Sequence, residues 1–184
     1  MRLRLLLVSA SLCAVFAVAA PAAAGINPQT AGLQVALRSW GFYGGPIDGI
    51  AGPQTALGVR AFQHRMHLRV DGIPGRRTRA ALGRLGRPLY GRRPLRRGMV
   101  GWDVSVLQFM LKRRGSPTGI IDGYFGGETA RALRRYQRRA GLGVDAVAGP
   151  VTRRALERRV ARPHSHSHSH SSRPSRRTVK ATIN

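Results

Sequence analysis

The sequence predicts an all-α protein of two tandem three-helix modules, placed after a signal peptide and before a disordered basic tail. Three observations carry this: an ungapped internal repeat, glycine-punctuated helical stripes within each copy, and abrupt composition changes at both ends. The chain has 184 residues, 32 Lys and Arg against 7 Asp and Glu, and a formal charge of +25, a length that allows one or two small domains. Hydrophobic residues make up 42% and aromatics only 6%, which is too apolar for a wholly disordered chain but enough for only a small core.

Arg2 and Arg4 precede an apolar run from Leu5 to Ala20 that ends at Ala22-Ala23-Ala24 before Gly25. That layout predicts a signal peptide over residues 1–24, cleaved after Ala24; the run is short for a membrane span and ends in small residues and a proline. The only cysteine, Cys13, lies within it, preceded by Leu12 where a lipoprotein signal has a small residue. The mature chain therefore has no disulfide and no thiol nucleophile, and export without a transmembrane anchor is expected.

Laying Leu33–Leu82 on Leu107–Leu156 with a constant shift of 74 gives 22 identities in 50 pairs, which marks a duplicated unit. Leu33-Gln34 falls on Leu107-Gln108, Ile47-Asp48-Gly49 on Ile121-Asp122-Gly123, Phe62-Gln63 on Tyr136-Gln137, Asp71 on Asp145, and Thr55 and Thr78 on Thr129 and Thr152. The first helix of each copy carries a stripe, Leu33 and Leu37 or Val104, Leu107 and Leu111, at helical spacing. Asp103 is a candidate N-cap for the second copy. Gly52-Pro53 and Gly149-Pro150 put a permissive residue at a cap and proline at the first helical position, where its missing N–H costs nothing. The second helix then presents Ala56, Val59, Phe62 and Met66, matched by Ala130, Leu133, Tyr136 and Ala140. The third buries Ala81 and Leu82, or Ala155 and Leu156.

These elements give boundaries of 27–86 for repeat 1 and 99–161 for repeat 2. Between them, residues 87–98 hold two prolines, two glycines and five arginines, the composition of a turn-rich linker without core positions; the modules are expected to be separable at Arg92-Arg93. Residues 162–184, with alternating His and Ser and then basic residues, have no apolar periodicity and are expected to be disordered.

The repeat resembles the peptidoglycan-binding domain family of the three-helix type found beside bacterial cell-wall hydrolases, in two copies. Leu107-Gln108, Asp122-Gly123-Tyr124-Phe125-Gly126, Thr129, Tyr136-Gln137, Gly141-Leu142 and Thr152 follow the family pattern in order, and Leu95 to Gly98 with Trp102-Asp103-Val104 resembles its opening. The resemblance spans about residues 27 to 160 and implies an exported wall-binding protein with peptidoglycan as its partner. The copies depart from the pattern differently. Repeat 1 has Ala51 where an aromatic belongs, and repeat 2 has Ala146 in place of a glycine. If that alanine takes a positive φ, its turn is strained by about 1 kcal/mol.

The candidate ligand-binding residues are Asp48, Gly49, Asp71, Gly72, Asp122, Gly123, Tyr124, Phe125, Arg135 and Arg138. The turn aspartates have two readings: a carboxylate that ties down a nearby backbone N–H, or one that also lines a saccharide or peptide groove. Tyr124 stands between stacking on a sugar and filling the core; Phe125, like Phe62 and Tyr136, reads as core. The arginines of repeat 2, Arg131, Arg134, Arg135, Arg138, Arg139, Arg153, Arg154, Arg158 and Arg159, suit carboxylates or phosphates of stem peptides and anionic wall polymers. The alternative is a merely solvated basic face.

His64 and His67 lack a third ligand, and the His run from His164 to His170 lacks a fixed geometry, so neither metal nor cofactor is expected. No nucleophile elbow, phosphate loop or zinc-protease motif occurs, and the chain leaves little length for a catalytic domain. The expectation is a non-enzyme that binds the cell wall. The alternatives are an accessory or targeting subunit of a separate cell-wall enzyme and, disfavoured by export, a basic nucleic-acid binder.

Overall fold

The computed structural model describes residues 25–158. The expected signal peptide, the tail, and residues 159–161 lie outside the described residues. Six helices follow in order: α1 (Pro28–Ser39), α2 (Pro53–Arg65) and α3 (Arg76–Ala81) in repeat 1, then α4 (Trp102–Arg113), α5 (Gly127–Arg139) and α6 (Pro150–Glu157) in repeat 2. A short 3₁₀ turn, Gly83–Gly86, extends α3. Among the described residues no helix is long and apolar enough to cross a membrane.

Local chemistry explains where the helices start. α2, α3, α5 and α6 each begin after an extended glycine, Gly52, Gly75, Gly126 and Gly149, with no side-chain cap. Pro53 and Pro150 occupy the first helical position, where proline's fixed φ already suits a helix. α1 has a side-chain cap, with Asn27 Oδ1 accepting from Gln29 N at 2.8 Å. Asp103 is not the N-cap of α4, as the sequence suggested. Gly101 holds that position, and Asp103 lies inside the first turn, 1% exposed, gripped in two-point fashion by Arg93 at 2.7 and 3.2 Å. A carboxylate buried without such a partner is costly to the fold. Ala140, expected on the apolar stripe of α5, is exposed at its C-cap.

The largest departure from the sequence reading is the relation between the repeats. α1 is buried without interruption from Ala31 to Leu37, and α4 from Trp102 to Leu111. No single stripe accounts for this; a helix covered on all sides has neighbours on all sides. α1 packs along α4, its counterpart under the 74-residue shift. Val35 and Phe109, and Ile47 and Ile121, are pairs related by the repeat, and all four belong to one apolar cluster. This is the pattern of an isologous interface, made here within one chain. Trp102 closes the seam by donating from Nε1 to Gln29 Oε1 at 2.7 Å. It lies so close to α1 that a Cβ on Gly32 would stand 2.7 Å from that nitrogen.

The main core accordingly runs through both repeats, from Leu33, Leu37 and Phe62 to Leu107, Leu133 and Leu156. Residues 87–98 are not a spacer without core positions. Leu95 is fully buried and bonds Ala148 through its backbone in both directions, while Gly98 and Met99 bond the backbone of Phe125. Each module alone would present an apolar α1 or α4 face to water, which is why the expected separability does not follow from the fold.

Candidate functional site

Four loops carry the candidate site, and one bonding scheme builds them all. In each, a buried glutamine on the preceding helix reaches an aspartate with its Nε2: Gln34 to Asp48 (2.7 Å), Gln63 to Asp71 (2.8 Å), Gln108 to Asp122 (2.8 Å) and Gln137 to Asp145 (2.7 Å). The same carboxylate oxygen accepts the backbone N–H two residues on, at Ile50, Ile73, Tyr124 and Val147. The glutamine Oε1 accepts the N–H of the residue after the aspartate, at Gly49, Gly72, Gly123 and Ala146. A threonine seven residues beyond each aspartate, Thr55, Thr78, Thr129 or Thr152, completes the clip with Oγ1 near the amide nitrogen. A buried amide with both ends satisfied is rigid and costly to replace.

The sequence could not assign this role to the glutamines, which read as ordinary neighbours of Leu33, Phe62, Leu107 and Tyr136. The signal was the constant seven-residue step from Asp to Thr, present four times with a glutamine ahead of it. The scheme gives the aspartates architectural work: Oδ1 of all four is engaged within its own loop. Backbone N–H donation, first from Ile73 and Val147, and then the amides of Gln63 and Gln137, hold the Asp71 and Asp145 carboxyls below the usual range. In three loops the residue after the aspartate is glycine with φ between 75° and 79°; Ala146 takes φ 58° in the fourth, the strained geometry raised by the sequence.

The remaining candidates separate by burial. Phe125 is 2% exposed and belongs to the core, while Tyr124 beside it is 54% exposed. Its repeat 1 counterpart is Ile50. Arg135 donates from Nη2 to the Pro117 carbonyl at 2.7 Å, and Arg138 is exposed one turn further along α5. The hollow that takes in Arg135 is lined by Pro117, Thr118, Gly119, Glu128 and Arg131, and by none of Asp48, Asp71, Asp122, Asp145 or Tyr124. His64 and His67 are both exposed, and among the described residues no group of three or more potential ligands could hold a metal ion.

A family model for the peptidoglycan binding domain matches residues 27–82 and 101–156. The chain is similar to N-acetylmuramoyl-L-alanine amidase CwlM of Mycobacterium tuberculosis, at 46% identity over 108 residues, 56% of this chain and 26% of that protein. It is 31% identical to N-acetylmuramoyl-L-alanine amidase CwlL of Bacillus licheniformis over 155 residues, 70% of this chain and 42% of the relative. A spore cortex-lytic enzyme of Bacillus cereus matches at 43% over 67 residues, 36% of this chain and 26% of the enzyme. Among solved structures, the SleB N-terminal domain matches at 43% identity, covering 37% of this chain and 93% of that one, with a TM-score of 0.36.

The chain spans 26% to 42% of the length of these curated relatives. The expectation of a non-enzyme is corrected by this finding. The relatives are enzymes by name, and the part of them that is matched is the binding-domain region, so a missing catalytic motif there does not set the class.

Proposed function

Because the chain belongs to the peptidoglycan-binding domain family, in two copies, we propose that it recognises peptidoglycan outside the cytoplasm and serves a cell-wall-lytic activity of the kind its relatives are named for. The observation that carries this reading is the completeness of the binding unit: four Gln–Asp–Thr clips, two per copy, hold four loops rigidly at the surface of one shared core. Preorganised loops bind without first paying an ordering entropy.

Within this proposal the clipped aspartates Asp48, Asp71, Asp122 and Asp145 act by shaping their loops. Tyr124 offers an exposed ring to a sugar face, and Arg135 and Arg138 attract the anionic groups of the wall, including anionic wall polymers. Repeat 1, with Ile50 and Ala51 at the matching positions, binds the more weakly of the two. The names of the relatives, N-acetylmuramoyl-L-alanine amidases among them, also support cooperation with a separate cell-wall enzyme as partner.

Sedimentation with purified sacculi tests the reading. The mature chain is expected to pellet with them, and a salt series separates two components, because screening shortens the reach of surface charge to about 8 Å at physiological ionic strength. Tyr124→Ala should weaken the salt-resistant part without unfolding the protein. Charge removal at Arg138 should weaken the salt-sensitive part. A protein that stays in the supernatant at low salt would refute the proposal. The link to lysis is read separately, as muropeptide release from sacculi by an amidase with and without the chain.

A further inference from the structure

Two hollows on the molecule correspond under the 74-residue shift and differ in chemistry. In repeat 1 a hollow of about 440 Å³ lies between the turn at residues 41–45 and α2, with Gln54, Leu57 and Ala61 along the helix. Its counterpart in repeat 2, about 340 Å³, is lined by Pro117, Thr118, Gly119, Glu128, Arg131 and Arg135. The shift puts Glu128 at the place of Gln54, Arg131 at that of Leu57 and Arg135 at that of Ala61. One backbone frame thus carries a neutral, largely apolar wall in one copy, and a carboxylate with two guanidinium groups in the other.

The charged groups are placed to act together. Arg131 and Arg135 are four apart on α5 and share a face. Arg135 is oriented by its bond to the Pro117 carbonyl, which uses one of the five N–H donors of a guanidinium. Glu128 and Arg131 stand 4.0 Å apart with side chains 66% and 63% exposed. So loose and solvated a pair contributes little to stability, and either member can turn to a ligand at small cost. An independent sign comes from the wall itself. Thr118 is 3% exposed, and its hydroxyl has no hydrogen-bond partner among the described residues. Buried hydroxyls are usually paired, so the wall of this hollow carries one polar atom whose bonding is unfilled.

We infer that the repeat 2 hollow binds the peptide part of the wall polymer, with an ammonium group on Glu128 and a carboxylate on Arg131 and Arg135, and that the repeat 1 hollow does not. This rests on the peptidoglycan-binding reading and gives it a chemical subsite. The net charge of the lining, one carboxylate against two guanidinium groups, favours a ligand bearing both signs or an excess of carboxylate. A glycan carrying neither has nothing to match there.

The test is calorimetric titration of the full chain with a synthetic, glycan-free peptide, N-acetyl-L-Ala-γ-D-Glu-L-Lys, beside a capped form in which the lysine ε-amine is acetylated and both carboxyls are amidated. The parent is expected to bind the free peptide at a single site. Glu128→Gln with Arg131→Leu installs the repeat 1 residues at two exposed positions and leaves the core untouched, and circular dichroism verifies its fold. That variant is expected to lose about tenfold or more in affinity, a change of about 1.4 kcal/mol or more, and the capped peptide should bind the parent more weakly by a similar factor. Failure of the parent to bind, equal binding by the variant, or equal binding of the capped peptide would each overturn the inference. Sacculus sedimentation of the same preparations keeps the two levels apart. Retention on sacculi without peptide binding overturns the subsite alone, whereas loss of both overturns the peptidoglycan reading.

Discussion

Repeat 1 and repeat 2 hold their first aspartate loops with nearly the same bonds, Gln34 to Asp48 at 2.7 Å and Gln108 to Asp122 at 2.8 Å, yet α2 carries two arginines where α5 carries five. Inside, a glutamine, an aspartate and a threonine are tied to one another, so a change at any of them strands the other two. Outside, positions 57 and 61 of α2, and 131 and 135 of α5, lie on exposed helix faces away from the clips and are free to differ. What distinguishes the copies is therefore on the helix faces, and what makes them copies is under the loops.

Separating the copies should produce the largest effect. Residues 25–92 and 93–158, expressed apart, are each expected to lose cooperative thermal unfolding, because α1 and α4 bury one another and domains of this size have little surface to spare. A half that melts cooperatively near the temperature of the whole chain would show that the seam is dispensable. Next come Gln34→Leu and Gln108→Leu. Each strands a carboxylate oxygen and backbone N–H groups, at a cost of about 2–4 kcal/mol in denaturant titration. Equal losses are the expected outcome, and a difference beyond about 1 kcal/mol would break the equivalence of the two clips.

A smaller effect, of opposite sign, is expected from Ala146→Gly. At φ 58° the alanine is strained where the other three loops have glycine, and relief should raise stability by about 0.5–1 kcal/mol, read as a rise in melting temperature. The smallest effect is acidic. Asp71 and Asp145 titrate below the ordinary range in the folded protein, so their contribution is fully present above the unfolded carboxyl pKa of about 3.9. It is lost as the pH falls through the lower folded values. Melting temperature should decline in that window, and Asp71→Asn with Asp145→Asn should flatten the decline.

Much of the fold was legible in the sequence because duplication reports itself. The 74-residue shift, the Gly-Pro helix starts, the burial of Phe125 and the positive φ of Ala146 all follow from residues whose backbone or size demands are local. The seam was not legible from stripe counting, since Leu33 and Leu37 already supply α1 with one apolar face. Val35, Val106 and Phe109 lay off that stripe and were the unread sign that both helices are covered all round. The arginine face was visible as composition, but its division into a held Arg135, a loose Arg131 and an exposed Arg138 depends on where the Pro117 carbonyl and Glu128 sit. No periodicity encodes those positions.

The α1–α4 seam also changes how the assembly responds to dilution. An isologous contact between separate chains opens as their concentration falls, since association then costs translational freedom. Here residues 87–98 tether the two faces, and Leu95 and Arg93 anchor that tether to repeat 2. Closure is unimolecular, governed by an effective local concentration that the surrounding volume cannot alter. At any dilution both copies therefore keep a fixed register, so that whatever orients one copy orients the other.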